Sequence, residues 1–363
     1  MATNSTARDF LYEVKSLPSD VNRMLDFCSK NKCSDLFIKV GEPSRIYRYG
    51  VMYTTSSELT QIDWMNFVQS PSAISSEMNA IYVRNKMLDF SYIHPNGKWR
   101  YRVNASYSGG KNIATFRMIS DKLPTFDSLG MNKDVVELLE RSFGQHQGIS
   151  MLVGATGSGK TSTLAACINS FSSGYRGVKE LPLKDSHMIT LEDPIEYIYP
   201  SKESTLITQK ELGRDFLSYE AGIKSSLREH PTAILVGETR DVETISSLNH
   251  ASVTGHAVFT TYHSQSVSTA LARMNSMIVD ERKDVMFDLI ANLNFILCQK
   301  LEKGRTGYTL WYQYLFFSDG VKKLLTEAIY KNKNIPRVID SLMANQKFNE
   351  AKVCCDWRSN NRR

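Results

Sequence analysis

Residues 154–161 read GATGSGKT, and few stretches of eight residues restrict a fold so tightly. The string fits G-x-x-x-x-G-K-[ST]. It directly follows the apolar run Ile149–Val153 and precedes a helix-forming stretch, Thr161–Asn169. Strand, loop and helix in that order form the setting in which such a loop cradles phosphates. Gly154, Gly157 and Gly159 permit a tight turn whose backbone N–H groups converge on phosphate oxygens. Ala155, Thr156, Ser158 and Ser162 complete the phosphate-binding segment. Lys160 is expected to reach the β- and γ-phosphates of ATP, and the Thr161 hydroxyl to bind Mg²⁺.

The surrounding pattern suits that loop. From about residue 130, helix NKDVVELLERSF is followed by strand GISMLV, a helix, strand HMITLE, a helix, strand AILVGE, a helix and strand AVFTTY. Strands alternating with helices predict an α/β domain with a parallel sheet covered on its faces. TGYTLWYQYLFF (306–317) reads as a closing antiparallel pair and VKKLLTEAIY as a short helix after it. The first part of the chain differs. Val21, Met24, Leu25 and Cys28 recur at helical spacing behind a Ser19 or Asp20 cap. Strands are expected at SDLFIKVG (34–41), around Ile46–Thr54 and at Met87–Ile93. WRYRVNASY (99–107) and NIATFRMIS (112–120) flank Gly109-Gly110, which reads as a hairpin turn. The expected organisation is a smaller α+β domain over 1–120, a linker over 121–130, the α/β domain over 131–335 and a basic C-terminal tail over 336–363.

Acidic residues fall at strand ends. In ITLEDPIEY (189–197) the strand ends at Glu192 and Asp193, before Pro194. In AILVGETRD (233–241) Glu238 lies just past its strand. Ligands of open parallel sheets sit at the carboxyl ends of the strands, so a phosphate loop and two glutamates are expected on one edge. The second strand ends in Gly237-Glu238 where an Asp is the usual Mg²⁺ partner, so Glu238 is expected to hold the metal through water. TGHAVFTTYHS (254–264) places His256 and His263 at opposite ends of one strand, roughly 23 Å apart, too far for a shared metal. His263, at the carboxyl end, is expected to sense the γ-phosphate or its attacking water, and His256 to be a hydrogen-bonded packing or interface residue.

Charge and composition narrow the classes. Of the net charge of +6, residues 331–363 carry +5. A basic tail suits nucleic acid or an anionic membrane, although a solvated terminus is the favoured reading. The six cysteines show no paired CxxC spacing, which argues against a zinc site. No apolar stretch has the length of a membrane span, and LIANLNFILC is interrupted by Asn292 and Asn294. MATNSTARDF lacks an apolar signal core, so a cytoplasmic location is expected.

GATGSGKT, ITLEDPIEY, LGRDFLSYEAGIKSSLREHPTAILVGETRD and TGHAVFTTYH together resemble, in order, the phosphate loop, acidic box, Walker B region and histidine box of the type II/type IV secretion ATPase superfamily. SDLFIKVGEPSRIYRYG and WRYRVNAS resemble the N-terminal domain of its pilus-retraction (PilT-like) branch. Over roughly residues 20–330 the chain is similar to the DotB-like and TraJ-like group of type IVB secretion and plasmid conjugation. The resemblance implies a RecA-like ATPase domain behind a PAS-like N-terminal domain, and a homo-hexamer with ATP between two-domain subunits. ATP-driven domain motion would power an inner-membrane secretion or transfer apparatus to which the protein is peripherally recruited. It also implies that Glu192 polarises the attacking water, that Glu238 helps hold Mg²⁺, and that arginines reach the phosphates from the N-terminal domain or a neighbouring subunit. Arg100 and Arg102 share a strand face, and Arg117 lies across the hairpin; these three are the candidates. Arg214, Arg228 and Arg240 lie in the matching boxes and are expected to brace acidic loops. The four-cysteine zinc element of pilus-assembly ATPases is missing, and VKKLLTEA (321–328) departs from the A-I-R-N-L-I-R-E element of the retraction branch. Pilus retraction and a nucleic-acid-translocating RecA-like motor remain as alternatives, with a non-hydrolysing assembly scaffold as a third.

Overall fold

The structure is a computed structural model that describes residues 7–70, 73–119, 122–131, 133–173, 183–278, 282–303, 308–345 and 351–358. The chain divides into two compact units. The first comprises Met1–Lys122 together with two short later segments, Asp193–Ile198 and Gly213–Asp215; the second comprises the remainder.

In the first unit, helices α1 (Ala7–Lys15) and α2 (Val21–Lys30) precede strands β1 (Asp35–Lys39), β2 (Pro43–Arg48) and β3 (Val51–Glu58). Helices α3 (Gln61–Val68) and α4 (Ser76–Asn85) follow, then β4 (Met87–Ile93), β5 (Arg100–Ser108) and β6 (Lys111–Ile119). The Asp20 side chain accepts from the Arg23 N–H and starts α2, which buries Val21, Met24, Leu25 and Cys28. The six strands run in the order β3-β2-β1-β6-β5-β4, every pair antiparallel. Gly109 and Gly110 both have positive φ, as a two-residue hairpin between β5 and β6 requires. Phe67, Tyr92, Tyr101 and Phe116 meet edge to face in the core of this unit, and Trp64 packs tilted against Phe67.

The second unit opens with the short helix α5 (Phe126–Leu129), so the stretch expected as a linker over 121–130 contains a helix. Its cap is Thr125, and Phe126 packs tilted against Phe171. Then come α6 (Lys133–Phe143), β7 (Gly148–Val153), α7 (Lys160–Ser173), β8 (Ser186–Glu192), β9 (Thr205–Glu211), α8 (Tyr219–Ser226) and β10 (Ala233–Val236). The chain continues through α9 (Val242–Val253), β11 (Ala257–Tyr262), α10 (Val267–Met277), α11 (Lys283–Asn292), β12 (Leu293–Lys303), β13 (Tyr308–Phe316), α12 (Asp319–Tyr330), α13 (Ile335–Asn345) and β14 (Ala351–Arg358). The sheet order is β14-β13-β12-β7-β11-β10-β8-β9. The six strands from β12 to β9 are parallel, and β13 and β14 close the other edge antiparallel. The sheet is therefore mixed and adds β9, β12 and β14 to the expected strands, and the stretch expected as a closing pair contributes the single strand β13, paired with β12 and β14.

The parallel strands β7, β10 and β11 are buried along their whole length, as strands covered on both faces must be. One face carries Ile149, Met151, Ile189, Ile234 and Val258 into the principal core. Toward the other, Phe259 stacks on Phe143, with ring centroids 4.0 Å apart, and Phe143 meets Phe171 of α7. The basic tail expected over 336–363 needs correction. Residues 335–345 form α13, whose Ile339 and Met343 are buried in the principal core, and 351–358 pair as β14 on β13. Apolar residues at helical spacing between the basic ones outweigh the charge. Residues 346–350 and 359–363 of that tail lie outside the described residues. Among the described residues no helix is long and apolar enough to cross a membrane.

Candidate nucleotide site

Register brings the site together. Leu191 of β8 pairs with Val236 of β10, Val236 with Thr260 of β11, and Tyr262 of β11 with Val153 of β7. The carboxyl ends of four parallel strands therefore stand in one row. In space they present Glu192, then Glu238, then His263, then the loop that begins at Gly154. The ends are tied to one another. The Gly237 N–H donates to Leu191 O (2.7 Å), the Thr239 N–H to Thr261 O (2.9 Å), the Thr261 hydroxyl to Gly237 O (2.7 Å), and the Gly154 N–H to Tyr262 O (3.2 Å).

The loop 154–159 makes a close turn into α7. A Cβ at Gly154 would lie 2.5 Å from the carbonyl oxygen of Gln299 and closer still to Ser158 Oγ, so only glycine fits there. Ala155, Thr156 and Gly157 are exposed at its tip, and Thr161 and Ser162 are half-buried on the first turn of α7. Lys160 is buried, and its Nζ donates to the carbonyls of Gly154 (2.7 Å) and Ala155 (3.0 Å). The lysine thus closes the loop on itself. The buried Ser158 hydroxyl has no partner among the described residues. An exposed glycine-lined tip at a helix N-terminus, with a buried ammonium behind it, is a cradle for phosphate oxygens.

Glu192 is the last residue of β8 and is only 6% exposed. Its Oε1 accepts from the Thr190 hydroxyl (2.7 Å) and from Gln209 Nε2 (2.9 Å). Glu238 divides its carboxylate: Oε2 accepts from Arg240 Nη2 at 2.8 Å, and Oε1 lies 3.9 Å from His263 Nε2. Arg240 therefore braces an acidic loop as expected. Burial and the Lys160 charge hold the His263 imidazole below its ordinary pKa, against the opposing pull of Glu238. The ring is thereby kept neutral near pH 7, able to donate from one nitrogen and accept at the other. At the far end of β11, His256 Nδ1 lies 3.1 Å from both Ala251 O and Thr254 Oγ1, a packing role.

Thr161 and Glu238 are the residues that would hold Mg²⁺. No cluster of three or more metal-ligating His, Cys, Asp or Glu side chains exists among the described residues. That donor set fits Mg²⁺, which keeps most of its shell as water and phosphate oxygens. Bound there, the ion would neutralise charge developing on the phosphates.

The candidate arginines belong to the first unit, and each is engaged within it. Arg100 Nη2 donates to Ile195 O (3.3 Å), Arg102 lies 3.7 Å from Glu196, and Arg117 pairs with Asp35 at 2.8 Å. Arg102 and Arg117 are direct partners across β5 and β6, a like-charge pairing these carboxylates offset. They line a groove of about 640 Å³ with Asp89, Glu196 and Tyr197. Arg214, from the second of the unit's later segments, donates to Ala73 O and Ser91 O.

Three residues in these contacts are not legible as site residues in the sequence. Thr190 and Gln209 hold Glu192, and Gln299 of β12 donates to Ser158 O at 2.7 Å beneath the loop. Gln299 has one local signal: it is a polar, 3% exposed residue ending the apolar run of β12.

A glycine-lined phosphate loop at the end of one parallel strand, with acidic residues at the ends of its neighbours, defines a P-loop nucleotide-binding core. The chain matches the model of the Type II/IV secretion system protein family over residues 13–306 and belongs to that family. It is 31% identical over 306 residues to the type IV pilus retraction ATPase PilT of Pseudomonas aeruginosa, covering 79% of each chain. Its fold is similar to the ATPase DotB of Legionella pneumophila, with a TM-score of 0.77 and 27% identity over 91% of this chain and 87% of that one. It is also similar to the retraction motor PilT with bound ADP, with a TM-score of 0.72 and 28% identity over 91% of both chains. These likenesses place it in the PilT-like branch, near DotB.

Proposed function

We propose that this protein is a Mg²⁺-dependent ATP hydrolase of the cytoplasm. It assembles as a homo-hexamer, is recruited peripherally to the inner membrane, and powers a type IVB secretion or conjugative transfer apparatus. The observation that carries the reading is the row of strand ends on which a closed phosphate loop and a buried, doubly hydrogen-bonded Glu192 stand together. In this reading the loop N–H groups and Lys160 hold the phosphates, and Glu192 orients and deprotonates the attacking water. His263, kept neutral, contacts the γ-phosphate or that water, and Arg100, Arg102 and Arg117 meet the phosphates within or across subunits. ADP in the related PilT structure supports nucleotide use.

Lys160→Ala is expected to abolish nucleotide binding or turnover. Glu192→Gln is expected to keep ATP binding and cut turnover by roughly 10²-fold or more. Binding measured with a fluorescent nucleotide and phosphate release measured in parallel decide the matter. Tight binding with unimpaired turnover in Glu192→Gln would remove the base assignment.

The relatives support pilus retraction equally well, and the identity to PilT is the observation in its favour. VKKLLTEA (321–328), which departs from the retraction element, favours the transfer machine. Loss of plasmid transfer with intact twitching in a strain lacking the protein would support the first reading, and the reverse phenotype the second. A role on nucleic acid is not favoured, since much of the basic stretch that suggested it is folded as α13 and β14.

A further inference from the structure

We infer that Gln209 is the positioning residue for Glu192, and that its amide sets the orientation and the ionisation of that carboxylate. The inference rests on the reading of Glu192 as the base. Strand β9 lies parallel to β8 with Thr190 opposite Gln209 and Glu192 opposite Glu211. From these positions the Thr190 hydroxyl and Gln209 Nε2 converge on the same oxygen, Glu192 Oε1, at 2.7 and 2.9 Å. Two donors on one oxygen favour the charged carboxylate over its protonated form. They also fix the plane of the group, and so the direction in which Oε2 points.

Gln209 has a second engagement. Its Oε1 accepts the Tyr199 N–H at 2.8 Å. Glu192 is the last residue before the chain leaves the ATPase unit for the segment Asp193–Ile198, and Tyr199 is the first residue after its return. One amide therefore holds the residue at each end of that excursion. Only a group with a donor and an acceptor does both. A glutamate at 209 would keep the acceptor for Tyr199 but lose the donor and turn a like charge toward Glu192. A leucine would lose both.

That asymmetry supplies the test. If Gln209 positions Glu192, Gln209→Glu cuts kcat by about tenfold to a hundredfold and KM for ATP stays within about twofold. Gln209→Leu and Thr190→Val each lower kcat and move the acid limb of the kcat–pH profile to higher pH, since each removes a donor that disfavours protonation. If Gln209 only anchors Tyr199, the order reverses: Gln209→Glu behaves as wild type and Gln209→Leu is impaired, with no movement of the acid limb. Wild-type turnover in Gln209→Glu, or an unmoved acid limb in both Gln209→Leu and Thr190→Val, would overturn the inference. Nucleotide binding reports that each variant is folded, and should Gln209→Glu not fold, the other two variants decide through the acid limb. Glu192→Gln run alongside separates the two failures. Full turnover there removes the base reading itself, whereas an inactive Glu192→Gln beside a normal Gln209→Glu removes only the role of Gln209.

Discussion

His263 is half-buried among three cationic side chains, Lys160, Arg240 and Arg273, and one carboxylate, Glu238, and the balance has a consequence for acid stability. Burial and Lys160 hold its pKa below the ordinary 6.5, and Glu238 recovers only part of the loss. The folded protein therefore resists protonation at this site while the unfolded chain accepts it. The stabilising contribution is complete above the unfolded pKa and is lost as pH falls below it toward the folded value. His263→Asn removes that linkage, so its urea midpoint should fall less than that of wild type between neutral pH and about pH 5. A wild-type acid dependence in the variant would show that burial and the neighbouring charges do not hold the imidazole neutral. At this scale the sequence is uneven. Lys160 and Thr161 are legible because the loop signature is local and its glycines have a geometric reason. Thr190 and Gln209 are not, since their role exists only once β8 and β9 lie in register, and nothing in TLITQKE marks its glutamine as the partner of a glutamate 17 residues earlier.

Among the elements, α13 shows how charge misleads. Arg337 and the lysines around it suggest a solvated end, yet Ile335, Ile339 and Met343 return at helical spacing and reach the core. Ile339 is fully buried, so Ile339→Ala should destabilise the protein by about 2–5 kcal/mol, read as a shift of the denaturant midpoint at constant slope. A shift under about 0.5 kcal/mol would mean that α13 is a surface appendage. The loop, α7 and the buried strands β7, β10 and β11 announce themselves by continuous β-branched and apolar runs bounded by turn residues. Strand β12 does not, because it follows α11 without a turn and its apolar residues fit either period. Strand β9, TLITQKE at the sheet edge, has two adjacent apolar residues followed by four polar ones, shows no strand period, and so resembles loop.

At the scale of the whole molecule, the phosphate loop and the candidate arginines belong to different units of the chain, and each arginine already has a partner in its own unit. The partners differ in how readily they are exchanged. The Arg102–Glu196 pair is 3.7 Å long and half exposed, so it holds little more than a surface ion pair does. Arg117 keeps a side chain 68% exposed, but that of its partner Asp35 is only 8% exposed, so releasing Arg117 would leave a buried carboxylate unpaired and is costlier. A triphosphate, with several charged oxygens in a desolvated site, competes for a guanidinium better than a single surface carboxylate. If another subunit supplies that guanidinium, ATP turnover per subunit should rise steeply with protein concentration as rings form, tracked by sedimentation in the same samples. Arg100→Ala, Arg102→Ala and Arg117→Ala should then divide into those that abolish the rise and those that leave it. An arginine acting across the interface has a further signature: mixing its variant with Lys160→Ala restores turnover, because a ring of both contains subunits with an intact loop beside subunits with an intact arginine. A rate already complete in the monomer, unchanged by any of the three substitutions, would leave the phosphate loop, Glu192 and Glu238 to carry turnover within one chain.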